Sequence, residues 1–192
     1  MLVIVRHGRT AANASGLLLG RGDPPLDELG RMQAAAAAGA IDDVTRVVAS
    51  PLGRAQETAA AFGLPVETDE RWIELDYGEW EGRPVRDVGP EVWTTWRDDE
   101  QFRPPGGESL IELGVRVRAA CDDLAEAAAT ATVVVVTHVS PVKAAVAWAL
   151  GAGDQITWHL YVAPASITRI EPRSAGGHVV VSFDETAHLL LS

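Results

Sequence analysis

Val3-Ile4-Val5-Arg6-His7-Gly8-Arg9-Thr10 sets three β-branched residues in a row against a guanidinium, an imidazole and a glycine. A run of that kind reads as the inside of a strand covered on both faces, which ends where the polar pair begins. In an open α/β sheet, ligands bind just beyond the carboxyl ends of the strands. Arg6 and His7 therefore stand where such a site would form.

The same device recurs downstream. Ala131 to His138, ATVVVVTH, is a second continuous apolar strand that ends on a histidine, and Arg46 to Ser50, RVVAS, is a shorter one. Each is followed by helical text. Ser50-Pro51 reads as an N-cap with proline at the first helical position, ahead of an apolar face at Leu52, Ala55, Ala59 and Phe62 that Gly63 stops. Ser140-Pro141 repeats it, ahead of Val142, Val146 and Leu150 with Gly151 as the stop. Asp27 is the expected N-cap of an alanine-rich helix. Ser109 and Glu112 form a capping box for a helix whose stripe is Leu110, Leu113, Val117, Cys121 and Leu124. SITRIEP and HVVVSFDE, joined through RSAGG, read as a closing antiparallel pair. The expected fold is α/β, a three-layer α/β/α sandwich with a mostly parallel central sheet. It forms one domain over residues 1–192, with irregular text from Pro65 to Gly107 that includes a lid-like insert over about 76–107.

Bulk composition narrows the function classes. With 47% hydrophobic and 22% charged residues and mean hydropathy near zero, the 192-residue chain is expected to be globular, and no apolar run is long enough to span a bilayer. The net charge of −11 repels nucleic acid and anionic membrane, so neither is an expected partner. Met1 leads straight into a strand without a secretory pattern, and Cys121, the only cysteine, sits on a core stripe, so the expected location is the cytoplasm.

In this acidic chain an anion must be held by a local cluster of cations. The strand ends supply Arg6, His7 and His138, and the helix after the second strand supplies Arg54 in its first turn. Two guanidiniums, two imidazoles and two helix N-termini around one hollow suit a phosphoryl dianion. Neutral imidazole is a nucleophile near pH 7, so one histidine could accept the group while the other holds it. A carboxylate to serve the leaving group lies among Glu70, Glu74, Asp76, Glu79 and Glu81, with no basis in spacing for choosing one; the others read as a solvated acidic loop. Arg21 lies in the loop expected to border the hollow, although GLLLGRGD is not a nucleotide fingerprint. Trp93, Trp96 and Phe102, interleaved with Arg83, Arg86, Arg97 and Arg103, read either as a lid over a leaving group or as a small local core. His159, His178 and His188 read as structural or surface groups. No zinc-ligand spacing is present.

Arg6-His7-Gly8 with RHGRTAAN, SPLGRAQETA around Arg54, ELDYGEWEG from Glu74, PPGGES from Pro104 and VTH at His138 resemble, in order along the whole chain, the histidine phosphatase or phosphoglycerate mutase-like superfamily. THVSPVKAAVAWAL adds a particular likeness to α-ribazole phosphatases and to the acid phosphatase domain joined to ribonuclease H in actinobacterial bifunctional proteins. The resemblance implies that His7 attacks phosphorus and becomes phosphohistidine. It also implies that Arg6, Arg54 and His138 clamp the phosphate, that Asn13 borders it, and that Glu74 is the acid and then the base. It implies a metal-independent phosphomonoesterase for a small organic phosphate ester, without a cofactor, and is compatible with a homodimer. A bisphosphoglycerate-dependent mutase and a noncatalytic phospho-ligand binder are the alternatives. Two departures from the family pattern touch the pocket: Arg9 is expected to add charge beside the nucleophile, and Val139 replaces a glycine where backbone would approach phosphate.

Overall fold

The computed structural model describes residues 1–173 and 177–190. The elements run β1 (Leu2–Arg6), α1 (Ala11–Ala14), α2 (Glu28–Gly39), β2 (Val44–Ala49), α3 (Gly53–Ala60), β3 (Val66–Thr68), α4 (Pro90–Asp98), α5 (Leu110–Thr130), β4 (Thr132–Thr137), α6 (Val139–Leu150), β5 (Ile167–Pro172) and β6 (His178–Glu185), with short 3-10 turns between them. They build a six-stranded sheet in the order β3-β2-β4-β1-β5-β6. β3, β2, β4 and β1 run parallel, while β5 lies antiparallel to β1, and β6 to β5. The connection through 174–176 lies outside the described residues.

Successive side chains of a strand face opposite ways, which explains the unbroken apolar runs. Leu2, Ile4, Val133 and Val135 pack under Leu113, Val117 and Cys121 of α5 and Val142 and Ala145 of α6. Val3, Val5, Val134 and Val136 face the other way, against Ala37 of α2 and Ala55 and Ala59 of α3. Helices thus cover both faces, and the sandwich expected from the sequence is the observed fold. The capping box at Ser109 and Glu112 and the left-handed stop at Gly151 are also present.

Two local expectations change. α3 begins at Gly53 with Leu52 at its N-cap, two residues beyond Pro51. α6 begins at Val139 with His138 as its N-cap, which places Ser140 and Pro141 inside the first turn. Both serines serve the site instead, as described below. Gly8 keeps φ negative; its lack of a side chain is needed because a Cβ there would stand 2.2 Å from the carbonyl oxygen of Gly30 in α2. Among the described residues no helix is long and apolar enough to cross a membrane.

Candidate active site

β1 and β4 are neighbours, paired in parallel with Arg6 opposite Thr137, so the residues that follow them leave the sheet side by side. Those residues are His7 and His138. Their ring centroids are 5.1 Å apart with planes inclined at 59°, and the two side chains are almost fully buried. The adjacent exit of β2 carries Ser50, whose Oγ accepts from the Leu52 amide and lies 2.7 Å from His138 Nε2.

Hydrogen bonding sets the His7 tautomer. Its Nδ1 is 2.7 Å from the Gly8 carbonyl oxygen, and since a carbonyl only accepts, Nδ1 carries the proton. Nε2 then presents a lone pair, which accepts from Arg54 Nε at 3.2 Å. Burial pushes both histidines well below the ordinary value of 6.5, and the Arg6 and Arg54 guanidiniums add to the effect on each. Two buried nitrogens beside this pair, His138 Nδ1 and Arg6 Nε, have no hydrogen-bond partner, although Arg6 also donates through Nη1 to the Val162 carbonyl at 2.7 Å. Buried polar atoms left without a partner are costly, and these two belong to residues that neighbour His7.

Arg54 is completely buried at the start of α3. Its Nη1 and Nη2 donate to the carbonyls of Gly22 and Gly20 at 2.6 and 2.9 Å. The amides of Gly20, Arg21 and Gly22 are held from their other side by the Glu81 carboxylate at 3.0 to 3.2 Å. The loop is therefore fixed on both sides, and with it the guanidinium that faces His7. Glu81 is not the solvated acid expected of it.

Glu74 is buried at 3% exposure. Its Oε1 accepts from the Leu75 amide at 2.7 Å and from the Ser140 amide, in the first turn of α6, at 3.2 Å. The backbone beneath it is held by Arg116, whose guanidinium donates to the carbonyls of Arg71, Ile73 and Glu74. Thr137, at the end of β4, donates from Oγ1 to the Trp72 carbonyl at 2.5 Å, so the strand that presents His138 also anchors the Glu74 segment. The Glu74 carboxylate opposes the charge of both Arg6 and Arg54.

The structure thus brings His7, His138, Arg6, Arg54 and Glu74 together. Asn13 commits its amide oxygen to a capping box with Thr10. Arg9 Nε bonds Asp27 Oδ2 at 2.8 Å and secures the N-cap of α2, and the guanidiniums that act on His7 are those of Arg6 and Arg54 instead. Arg21 is spread between Asp76 and Glu108 at 3.9 and 3.7 Å. Val139 lines an adjoining cavity with Tyr77, Trp93 and Ser140. Sequence reasoning missed Ser50, Glu81 and Arg116 as site groups, because each acts through a partner remote in the chain.

A profile of the family described as Histidine phosphatase superfamily (branch 1) matches residues 2–185. The chain belongs to that superfamily. Among curated relatives of this histidine phosphatase chain, the bifunctional protein Rv2228c of Mycobacterium tuberculosis is 36% identical over 98% of the chain and 54% of its own length. The chain therefore spans about half of that relative. The Yersinia enterocolitica protein named probable phosphoglycerate mutase GpmB is also 36% identical, over 97% of the chain and 93% of its own length. Among solved structures, a mutant phosphoserine phosphatase from Entamoeba histolytica in complex with phosphoserine superposes with TM-score 0.90 at 26% identity, covering 98% of both chains. The α-ribazole phosphatase from Shigella flexneri superposes with TM-score 0.82 at 28% identity, covering 96% of both.

Proposed function

We propose that the chain is a phosphomonoesterase that hydrolyses a small organic phosphate ester through a phosphohistidine on His7, without a metal. The observation that carries this reading is the His7 tautomer: a proton fixed on Nδ1 by Gly8 and an Nε2 lone pair lying against a buried guanidinium. Nε2 attacks phosphorus as the bond to the ester oxygen breaks, and Glu74, protonated, gives its proton to that departing oxygen. Arg54, Arg6 and His138 supply donors to the equatorial oxygens, where charge collects during transfer. Water then attacks the phosphohistidine, the P–N bond breaks, and the Glu74 carboxylate takes the water's proton. Inorganic phosphate leaves and the Nε2 lone pair is restored. The likeness to two named phosphatases across nearly the whole chain supports the hydrolytic outcome.

The relation to GpmB favours a second reading, a mutase that retains its phosphoenzyme. Against it, the cavity beside Glu74 is walled largely by aromatic and aliphatic side chains, with Lys143 as its one basic residue. Assaying release of inorganic phosphate against isomerisation of 3-phosphoglycerate separates the two. Phosphate release is expected, with acid-labile labelling that disappears in His7→Ala. Arg54→Ala should lose on the order of a hundred- to a thousandfold in rate. Hydrolysis at an unchanged rate in His7→Ala would overturn the assignment, and unchanged binding with no turnover in the parent chain would make the protein a phospho-ligand binder.

A further inference from the structure

On the Glu74 side of the histidine pair lies a cavity of about 180 Å³. Aromatic and aliphatic side chains, Tyr77, Trp93, Trp96 and Trp158 foremost, form most of its wall, and Ser140, Lys143 and Thr157 are among the rest. It adjoins the proposed acid through the chain itself, since Leu75 follows Glu74 and the Ser140 amide donates to the Glu74 carboxylate. In the proposed reaction Glu74 protonates the departing oxygen, so whatever that oxygen belongs to lies on this side.

The wall is flat and rigid. Trp93 stacks on Trp96 with centroids 5.7 Å apart and planes parallel to within 1°, and Trp158 meets both edge-on at 6.1 and 5.6 Å. Such faces favour a planar or ring-shaped apolar body. The polar complement is unusual for so apolar a space. Lys143, half-buried on α6, makes no hydrogen bond or ion pair among the described residues; burial holds its ammonium below the ordinary value, while nearby Glu74 favours the cation and Arg6 opposes it. An unpartnered ammonium in the wall of an apolar box leaves a demand for an acceptor, best met by an anionic group.

Resting on the phosphomonoesterase reading, we propose that this cavity takes the leaving group, and that the substrate is the phosphate ester of a ring-bearing alcohol that carries a second anion, a carboxylate, held by Lys143. The cavity of about 180 Å³ has room for a single ring with a short substituent, and Lys143, the one basic residue in its wall, pairs with one carboxylate. Lys143 is thereby a specificity-determining residue, acting on the substrate and not on the phosphoryl group.

The test compares kcat/KM for phenyl phosphate, 4-carboxyphenyl phosphate and 4-(aminomethyl)phenyl phosphate. The parent protein is expected to favour the carboxylated ester over the unsubstituted one by about ten- to a hundredfold, the range expected for hydrogen bonds to a charged group. In Lys143→Met that ratio should fall towards one. In Lys143→Glu it should invert, with the aminomethyl ester becoming the preferred substrate, a swap that a merely structural lysine would not produce. A ratio near or below one in the parent protein, or one that persists in Lys143→Met, overturns the leaving-group assignment and leaves the phosphatase reading intact. The assignment also falls if none of the three aryl esters is cleaved by a protein that does release phosphate from glycerol 2-phosphate. Absence of release from every ester would instead overturn the phosphatase reading.

Discussion

His7 is a base placed where it resists protonation. Burial and two guanidiniums hold its pKa well below 6.5, and the same holds for His138. In the unfolded chain both rings titrate near the ordinary value, so below about pH 6.5 the unfolded state binds more protons than the folded one. Stability therefore rises with pH through that window and is lost on acidification. Melting temperatures measured from pH 8 down to pH 5 should fall most steeply below about 6.5, and the slope should be reduced in His138→Gln. An equal slope in the two proteins would contradict the burial argument. His7 should therefore stay neutral, with its Nε2 lone pair available, into mildly acidic solution. Gly8 shows the same economy at a single residue. Its carbonyl fixes the His7 proton, its amide donates to Thr58 Oγ1 at 3.0 Å, and the absence of a Cβ lets β1 approach α2.

At the scale of elements, the strands and the long helices were plain in the sequence because their burial repeats along the chain. Val133 to Val136 are covered on both faces, and the stripe from Leu110 to Leu124 faces one way, so composition and period state the result directly. β3 was missed because Val66, Glu67 and Thr68 are few and largely exposed, and only their pairing with β2 makes them a strand. The two Ser-Pro pairs misled for a physical reason. Ser50 turns its hydroxyl to His138, and the Ser140 amide bonds Glu74, so residues that read as helix caps hold buried polar side chains instead. Arg6, His7 and His138 could be placed from strand ends and Arg54 from the start of the helix after the second strand, whereas Glu74 was separable from its acidic neighbours only through family resemblance. Glu81 could not be found at all, since its partners are backbone amides some sixty residues away. The clamp it forms on residues 20–22 makes a prediction for that loop. Glu81→Ala frees the carbonyls that hold Arg54, and should lower kcat on the order of tenfold, the effect of losing a hydrogen bond to a charged group. KM should change less, because the phosphate retains Arg6 and His138. A large loss of stability without a change in kcat would show the clamp to be structural only.

Across the whole molecule the charge is divided. The chain carries a net charge of −11, yet two arginines and two neutral imidazoles meet at one end of its sheet, opposed by Glu74 and, on Arg54, also by Asp23 and Glu81. The long-range field therefore repels a phosphate ester while the short-range field holds it. Salt screens the first far more than the second, because the Debye length of about 10 Å at 0.1 M covers exposed charges and leaves buried ones largely unscreened. For a dianionic ester, kcat/KM is expected to rise as sodium chloride is raised from about 0.01 to about 0.1 M, in contrast to the fall expected of an enzyme that steers its substrate by surface charge. A fall would mean that the arginine field extends well beyond the opening.

Trp80, Trp93, Trp96 and Trp158, with neighbouring rings 5.6 to 6.1 Å apart, form one cluster of four of the six tryptophans of the chain, and three of them wall the cavity beside Glu74. A large share of the intrinsic near-ultraviolet fluorescence then comes from indoles at or next to that space. Filling the space replaces water near the indoles and alters both the intensity and the wavelength of their emission, so the unlabelled protein reports its own occupancy, even for an ester it never cleaves.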